Sequence, residues 1–183
     1  MFRRFTSRSA RMSANRNRVA VLAAGIGATA VLGTGIASAA TPSADSWVDP
    51  VKKYTLSASF AQAGGHWVAK HSGQDFAVPT GTEVVAAHGG TVVKAGPNGA
   101  GDGPAYGNAV VVKHGNGTYS QYAHLSRVDV KIGQIVKTGQ HLALSGSTGN
   151  STGPHLHFEI RTTPNYGSAV DPVSFLRAKG VKV

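Results

Sequence analysis

Between residues 54 and 161 the chain is cut by glycine, proline and asparagine into runs too short for ordinary helices: YTLSASF (54–60), TEVVAA (82–87), TVVKAG (91–96), NAVVVKH (108–114), TYSQYAH (118–124), QHLALSG (140–146) and HLHFEIR (155–161). Each is rich in Val, Thr, Tyr or Leu, side chains that suit a pleated, half-buried surface. Short strands at close spacing predict an all-β domain, an antiparallel sheet or flattened barrel with hairpins as the unit. His88-Gly89-Gly90 and Gly115-Asn116-Gly117 read as hairpin turns that need positive φ. The exception comes at the end, where Asp171-Pro172 offers an N-cap and a proline at the first helical position, predicting one short closing helix over 171–177. The glycine-rich stretch GPNGAGDGPAYGN (96–108) is expected to be a mobile loop. PTGTEVVAAHGGTVVKAG (79–96) and KIGQIVKTGQHLALSGSTG (131–149) share a Gly-x-x-Val step followed by a second glycine and a fresh apolar strand.

The front of the 183-residue chain has a different character. Six arginines and no acid fall in residues 1–18, residues 19–44 carry no charge, and Ala37-Ser38-Ala39 supplies the small-residue pattern of a signal-peptidase site. Residues 1–39 therefore read as an export signal removed at Ala39, with an uncleaved anchor as the rival and a twin-arginine route disfavoured by the distance of Arg3-Arg4 from the apolar run. Residues 40–53 read as a polar linker and 54–183 as the folded domain.

Export changes how charge is read. Twelve of the 18 Lys and Arg and all 8 acids lie beyond residue 39, so the mature chain is only mildly basic, at +4. Its basic residues are scattered, Lys52-Lys53 being the one adjacent pair, which excludes a nucleic-acid surface and leaves contact with an anionic cell wall. With no cysteine, the exported domain has to be held by its core, a metal, or both. No membrane span is expected in the mature protein, and a monomer is the default.

The 8 histidines divide by context. His66, His88, His114 and His141 sit in turns or at strand ends and have ordinary structural explanations. His155 and His157 are different: in a strand they share a face with Glu159 while Leu156, Phe158 and Ile160 point the other way, and adjacent same-face imidazoles do nothing for a purely structural strand. His71-Ser72-Gly73-Gln74-Asp75 places another imidazole and a carboxylate at the bend into a strand. A catalytic zinc asks for three N or O ligands with the fourth corner open, and a His/Asp/His set meets that demand where cysteine is absent. His124, at the end of TYSQYAH, gains weight only from this company.

HSGQDFAVPTGT, YGNAVVVKHGNG, YSQYAHL and SGSTGNSTGPHLHFEI together resemble the successive signature blocks of the lysostaphin-type, LytM-like zinc endopeptidases of bacterial cell walls. The resemblance runs from about Tyr54 to Leu176. It implies a fold like the duplicated hybrid motif, one Zn²⁺ per chain held by His71, Asp75 and His157, His155 and His124 as the catalytic pair, and a peptide of peptidoglycan, stem or cross-bridge, as substrate. One feature departs from the pattern: glycyl endopeptidases of the family carry a tyrosine shortly before the first ligand, where this chain reads AGGHWVAKH.

Three other readings have sequence features against them. A metal-free relative that binds the wall or activates an amidase would lack one or more of the five positions, and all five are filled. A biotinyl or lipoyl carrier, suggested by the internal similarity, needs an acceptor lysine at a hairpin tip, where His88-Gly89-Gly90 and Thr138-Gly139-Gln140 stand. A serine hydrolase needs its G-x-S-x-G elbow on a strand, turn and helix; Gly149-Asn150-Ser151-Thr152-Gly153 has the letters of the motif, but the strand, turn and helix that elbow needs are missing.

Overall fold

The computed structural model describes residues 46–183 apart from His66 and Val68. The predicted export signal, its cleavage site and residues 40–45 of the predicted linker lie outside the described residues. In chain order the strands are β1 (Thr55–Leu56), β2 (Gln74–Ala77), β3 (Glu83–Val85), β4 (Gly90–Gly96), β5 (Asn108–His114), β6 (Tyr119–Leu125), β7 (Arg127–Val128), β8 (Ile135–Val136), β9 (His141–Leu144), β10 (His155–Arg161) and β11 (Ala169–Val170), followed by one helix, α1 (Pro172–Ala178). All pairings among them are antiparallel. The larger sheet runs β1-β2-β10-β6-β5-β4-β8 with β11 beside β10, and the smaller runs β3-β9-β7. The larger sheet is open, so of the two predicted forms the sheet is the one adopted and the barrel is not.

The two similar segments pair crosswise. β3 and β4 belong to the first and β8 and β9 to the second; β3 pairs with β9 in the small sheet while β4 pairs with β8 in the large one. Each copy thus gives one strand to each sheet, a division that neither copy could complete alone. This corrects one predicted turn: His88-Gly89-Gly90 joins two sheets and is not a hairpin. Its glycine is needed for close approach, because a Cβ on Gly90 would stand 2.2 Å from the Lys113 carbonyl oxygen. Gly115-Asn116-Gly117 does close the β5–β6 hairpin, with Gly117 at φ +82°.

The core lies between the sheets. Phe76, Val84, Val92, Val110, Val112, Tyr122, Leu142, Leu156, Phe158 and Ile160 are buried in one cluster. Full burial of a residue such as Phe158 contributes about 1.5–3 kcal/mol relative to exposure. Asp171 caps α1, its carboxylate accepting from the backbone N–H of Val173 and Ser174, and Leu176 turns into the core. The part of the predicted linker that is described is tied to this body: Trp47 and Val51 are buried in the core cluster, and Trp47 stacks on His88 with ring centroids 4.6 Å apart. Apolar side chains set in a polar segment override its composition. Among the described residues no helix is long and apolar enough to cross a membrane.

The 96–108 stretch is not the loose loop its glycines suggest. It holds two short 3-10 turns, Asn98–Gly101 and Pro104–Tyr106. Two side chains pin it to the sheet: the Asp102 carboxylate accepts from Lys94 at 2.7 Å and from Arg161 at 2.6 Å, and the Tyr106 hydroxyl donates to Glu159 at 2.7 Å.

His114 has the structural role expected of it, with a consequence for stability. It is buried, donates from Nδ1 to the Gly89 carbonyl at 3.0 Å, and lies 2.9 Å from the Ser120 hydroxyl through Nε2. Burial, with a smaller push from His88, lowers its pKa to about 4. An unfolded chain binds the proton near pH 6.5, so between about pH 6.5 and 4 the unfolded state holds more protons and stability falls as pH falls, by about 3 kcal/mol for this group. Chemical denaturation midpoints measured from pH 7 to 4.5 should therefore fall less steeply for His114→Gln than for the native protein; equal slopes would remove His114 from the account.

Candidate metal centre

β10 lies between β2 and β6, and this order assembles the site. His157 stands directly opposite Asp75 on β2 and opposite Ala123 on β6, so its imidazole meets the carboxylate across one strand gap and comes near His124 across the other. His71, just before β2, is held by backbone bonds, its N–H to the Gln62 carbonyl and its carbonyl to the Ala61 N–H. Its ring reaches the same point. His71 Nε2 is 3.0 Å from His157 Nδ1 and 3.1 Å from Asp75 Oδ1, which is 2.9 Å from His157 Nδ1.

The outer nitrogens decide what the inner ones can do. His71 Nδ1 donates to the Ser59 carbonyl at 2.9 Å, and His157 Nε2 donates to the Glu159 carboxylate at 2.9 Å. In the neutral rings each inward nitrogen is then a bare lone pair. Two such nitrogens and a carboxylate oxygen within about 3 Å of one another face one space, which either a proton shared between His157 Nδ1 and Asp75 or a metal cation fills. Ligand atoms around a tetrahedral zinc stand about 3.3 Å apart, close to the spacing found, and the three residues could hold a metal ion with little movement.

The electrostatics agree. Burial alone would lower the pKa of His157, but hydrogen bonds to Asp75 and Glu159 and the charge of both raise it to about 9. Burial alone would raise Asp75, but bonds from His157 and His71 and their charge hold its carboxyl well below the usual range. The same field that draws a proton to His157 draws a metal cation, and the two compete for one lone pair.

His155 and His124 stand side by side in the same cleft, ring centroids 4.6 Å apart. His155 Nδ1 donates to the Gly153 carbonyl at 2.7 Å, and its Nε2 lies 3.6 Å from Asp75 Oδ2. His124 Nδ1 donates to the Thr148 carbonyl at 2.7 Å. Each ring thereby keeps Nε2 as its basic nitrogen. Burial, together with the charges of His157 and His155, lowers the pKa of His124 to about 4, against the Thr148 bond that raises it.

A bulge places His124. Asn108 pairs with Leu125 and Val110 with Tyr122, so Ala109 alone on β5 faces both Ala123 and His124 on β6. His124 takes the extra place at φ +58°. That conformation costs a side-chain-bearing residue about 1 kcal/mol or more, and such bulges re-aim a side chain out of the strand's alternation.

The cleft has a volume of about 590 Å³ and is lined by all five predicted residues. Trp67, Tyr106 and Tyr166 form aromatic walls. Trp67 lies 4.8 Å from the His71 ring, in the stretch that lacks the family's tyrosine; His66 is outside the described residues. Sequence reasoning missed Tyr106, Asp102, Glu159 and Arg161 as parts of the site. A signal for two of them was present, since the alternation that pairs His155 with His157 continues to Glu159 and Arg161 on the same face.

Two histidines and one aspartate that could hold a metal ion, with two further imidazoles beside them in an open cleft, make up the candidate site. The chain belongs to peptidase family M23, whose pattern it matches over residues 69–172. It is 44% identical over 112 residues to the peptidoglycan DD-endopeptidase ShyA of Vibrio cholerae, covering 59% of this chain and 25% of that protein. It is 42% identical over 112 residues to the glycyl-glycine endopeptidase ALE-1 of Staphylococcus capitis, covering 60% of this chain and 30% of that one. The chain thus spans less than a third of the length of these relatives. The catalytic domain of lysostaphin from Staphylococcus simulans superposes with a TM-score of 0.61 at 36% identity, covering 68% of this chain and 92% of that domain. The chain accordingly belongs to this peptidase family and has the lysostaphin-like fold.

Gly73, inside the H-x-x-x-D segment, shows how tightly the ligands are nested. A Cβ there would stand 2.4 Å from the Phe158 carbonyl oxygen and 2.9 Å from both the Glu159 Cγ and the His157 ring. Gly73→Ala should push β10 away from β2, destabilising the protein by about 1–3 kcal/mol and weakening metal binding at least tenfold. Denaturation and metal titration together check this; unchanged metal affinity would show that the spacing does not depend on this contact.

Proposed function

We propose that the chain is an exported zinc-dependent endopeptidase, acting as a monomer, that hydrolyses peptide bonds in the stem peptides or cross-bridges of peptidoglycan. The observation that carries the reading is the convergence of three buried acceptors, His71 Nε2, Asp75 Oδ1 and His157 Nδ1, beside two imidazoles whose Nδ1–H groups are already committed to backbone carbonyls. Zinc suits this N/N/O set, and when bound it supplies Lewis acidity to the scissile carbonyl and to the attacking water.

The chain's own groups supply the proton traffic. His155 Nε2, on the Asp75 side of the cleft, accepts the proton of the attacking water. His124, neutral at ordinary pH because burial lowers its pKa to about 4, hydrogen-bonds in the same space. One of the two returns a proton to the leaving amine. Both rings are held through Nδ1, so neither has to reorient during the reaction.

Three facts support a wall peptide as substrate. The relatives are named for peptidoglycan or glycyl-glycine bonds, the mature chain is mildly basic, and the cleft is open and walled by aromatic side chains that suit a flexible peptide. Their near-equal identities leave glycine bridges and D-alanyl-diaminopimelyl links as the two candidate bonds. The arginine-bearing start and the uncharged residues 19–44 support export.

The test is metal analysis with clearing of purified cell walls and mass spectrometry of the released peptides, which also names the bond. The native protein should carry about one zinc per chain. His157→Ala should lose the metal, whereas His155→Ala should keep it and lose turnover by about 10²-fold or more. Metal and activity retained in both variants would refute the assignment. Because a proton and the metal compete for His157 Nδ1, whose pKa is raised to about 9 without metal, zinc affinity should weaken steadily as pH falls from about 9. Occupancy and activity should be lost together at acid pH; a flat profile down to pH 4.5 would contradict it.

A further inference from the structure

Glu159 lies behind the candidate centre, fully buried, and three side chains meet on its carboxylate. Oε1 accepts from His157 Nε2 at 2.9 Å and from the Tyr106 hydroxyl at 2.7 Å, while Oε2 accepts from Arg161 Nε at 2.5 Å. Arg161, buried as well, continues to Asp102 at 2.6 Å, and Asp102 to Lys94 at 2.7 Å. Every charge in this chain has an opposite partner, as burial demands. Two of the groups so linked, Tyr106 and Asp102, belong to the 96–108 loop that walls the cleft.

We propose that Glu159 is a positioning residue with two arms, one holding His157 in the tautomer that turns Nδ1 toward the metal and the other holding the 96–108 loop against the sheet through Tyr106. The inference rests on the metal-centre reading given above. Among the described residues the other acceptor near His157 Nε2 is the Ser72 hydroxyl at 3.5 Å, too long to fix the ring. Asp75 Oδ1, 2.9 Å from Nδ1, competes for the same proton, so the tautomer that leaves Nδ1 open to a metal depends on the Glu159 carboxylate. The loop arm follows from the same oxygen: a carboxylate displaced from His157 also leaves Tyr106.

Glu159→Gln keeps the shape and removes the function. If the amide oxygen faces His157 and Tyr106, the amide N–H₂ meets the Arg161 N–H, donor against donor; if it is reversed, the N–H₂ meets His157 Nε2–H and Tyr106. Tyr106→Phe cuts only the loop arm.

The test reads zinc affinity by chelator competition and amide hydrogen exchange in the loop, where Gly99 N–H bonds to the Gly107 carbonyl, with no need of substrate. Glu159→Gln should weaken zinc binding about 10- to 100-fold and speed exchange at Gly99 at least about tenfold. Tyr106→Phe should speed exchange alike while zinc affinity stays within about threefold of native. In the native zinc-loaded protein the His157 Nε2 proton should give a slowly exchanging resonance, and this readout stands even if Glu159→Gln does not fold. Zinc affinity unchanged in Glu159→Gln, loss of affinity in Tyr106→Phe, or a native His157 protonated at Nδ1 would each overturn the proposal. A native protein that binds no zinc would overturn the metal-centre reading and this inference with it.

Discussion

The structure turns on the double burial of β10. One face of this strand, Leu156, Phe158 and Ile160, is ordinary core; the other, His157, Glu159 and Arg161, is equally hidden from water. Ionisable groups stay in such a place only if each is paired or binds a metal. Glu159 is met by Arg161, Arg161 by Asp102, and His157 by Asp75 and Glu159. The inward nitrogen of His157 shares its space with a second imidazole and a carboxylate, a set that could hold a metal ion. Fold and chemistry are thus set by one strand, whose apolar face places it and whose polar face gives it work.

The neighbours of β10 follow from that demand. β2 must lie beside it in the register that puts Asp75 opposite His157, and Gly73 lets the preceding bend nest without a side chain. β6 lies on the other side and needs a bulge to turn His124 into the cleft. The 96–108 loop closes over the charged chain because Asp102 and Tyr106 reach into it. Behind these, the crosswise pairing of the two similar segments builds the second sheet against which the apolar face packs.

Strand-forming runs bounded by glycine were legible in the sequence: Asn108–His114 and His155–Arg161 appear with the bounds expected, as does the capped helix after Asp171. Pairing partners were not, because the segment similarity announces a repeat but not that its halves exchange strands between sheets. That is why His88-Gly89-Gly90 was misread as a hairpin. The glycines of 96–108 suggested mobility, whereas two side chains of the stretch, reaching partners far along the chain, hold it. Trp47 and Val51 anchor a segment whose composition alone suggested a linker.

At the site, residue types and spacing singled out His71, Asp75, His155 and His157, and the family resemblance added His124; the structure gathers all five in one cleft. What spacing could not give is the state of each ring. The rings of His71, His124 and His155 are oriented by the backbone carbonyls of Ser59, Thr148 and Gly153, where residue identity says nothing, and that of His157 meets the Glu159 side chain. Glu159 and Arg161 continue the alternation of the histidine pair, and the pattern needed only to be followed two steps further.

The central claim is that His71 Nε2, Asp75 Oδ1 and His157 Nδ1 grip one cation, and anomalous diffraction at the zinc edge from crystals of the zinc-loaded protein tests it most directly. The account predicts one strong peak about 2.0–2.2 Å from each of those three atoms, with the Glu159 carboxylate still on the far nitrogen of His157. A peak elsewhere, or one that leaves any of the three atoms beyond bonding distance, would contradict it.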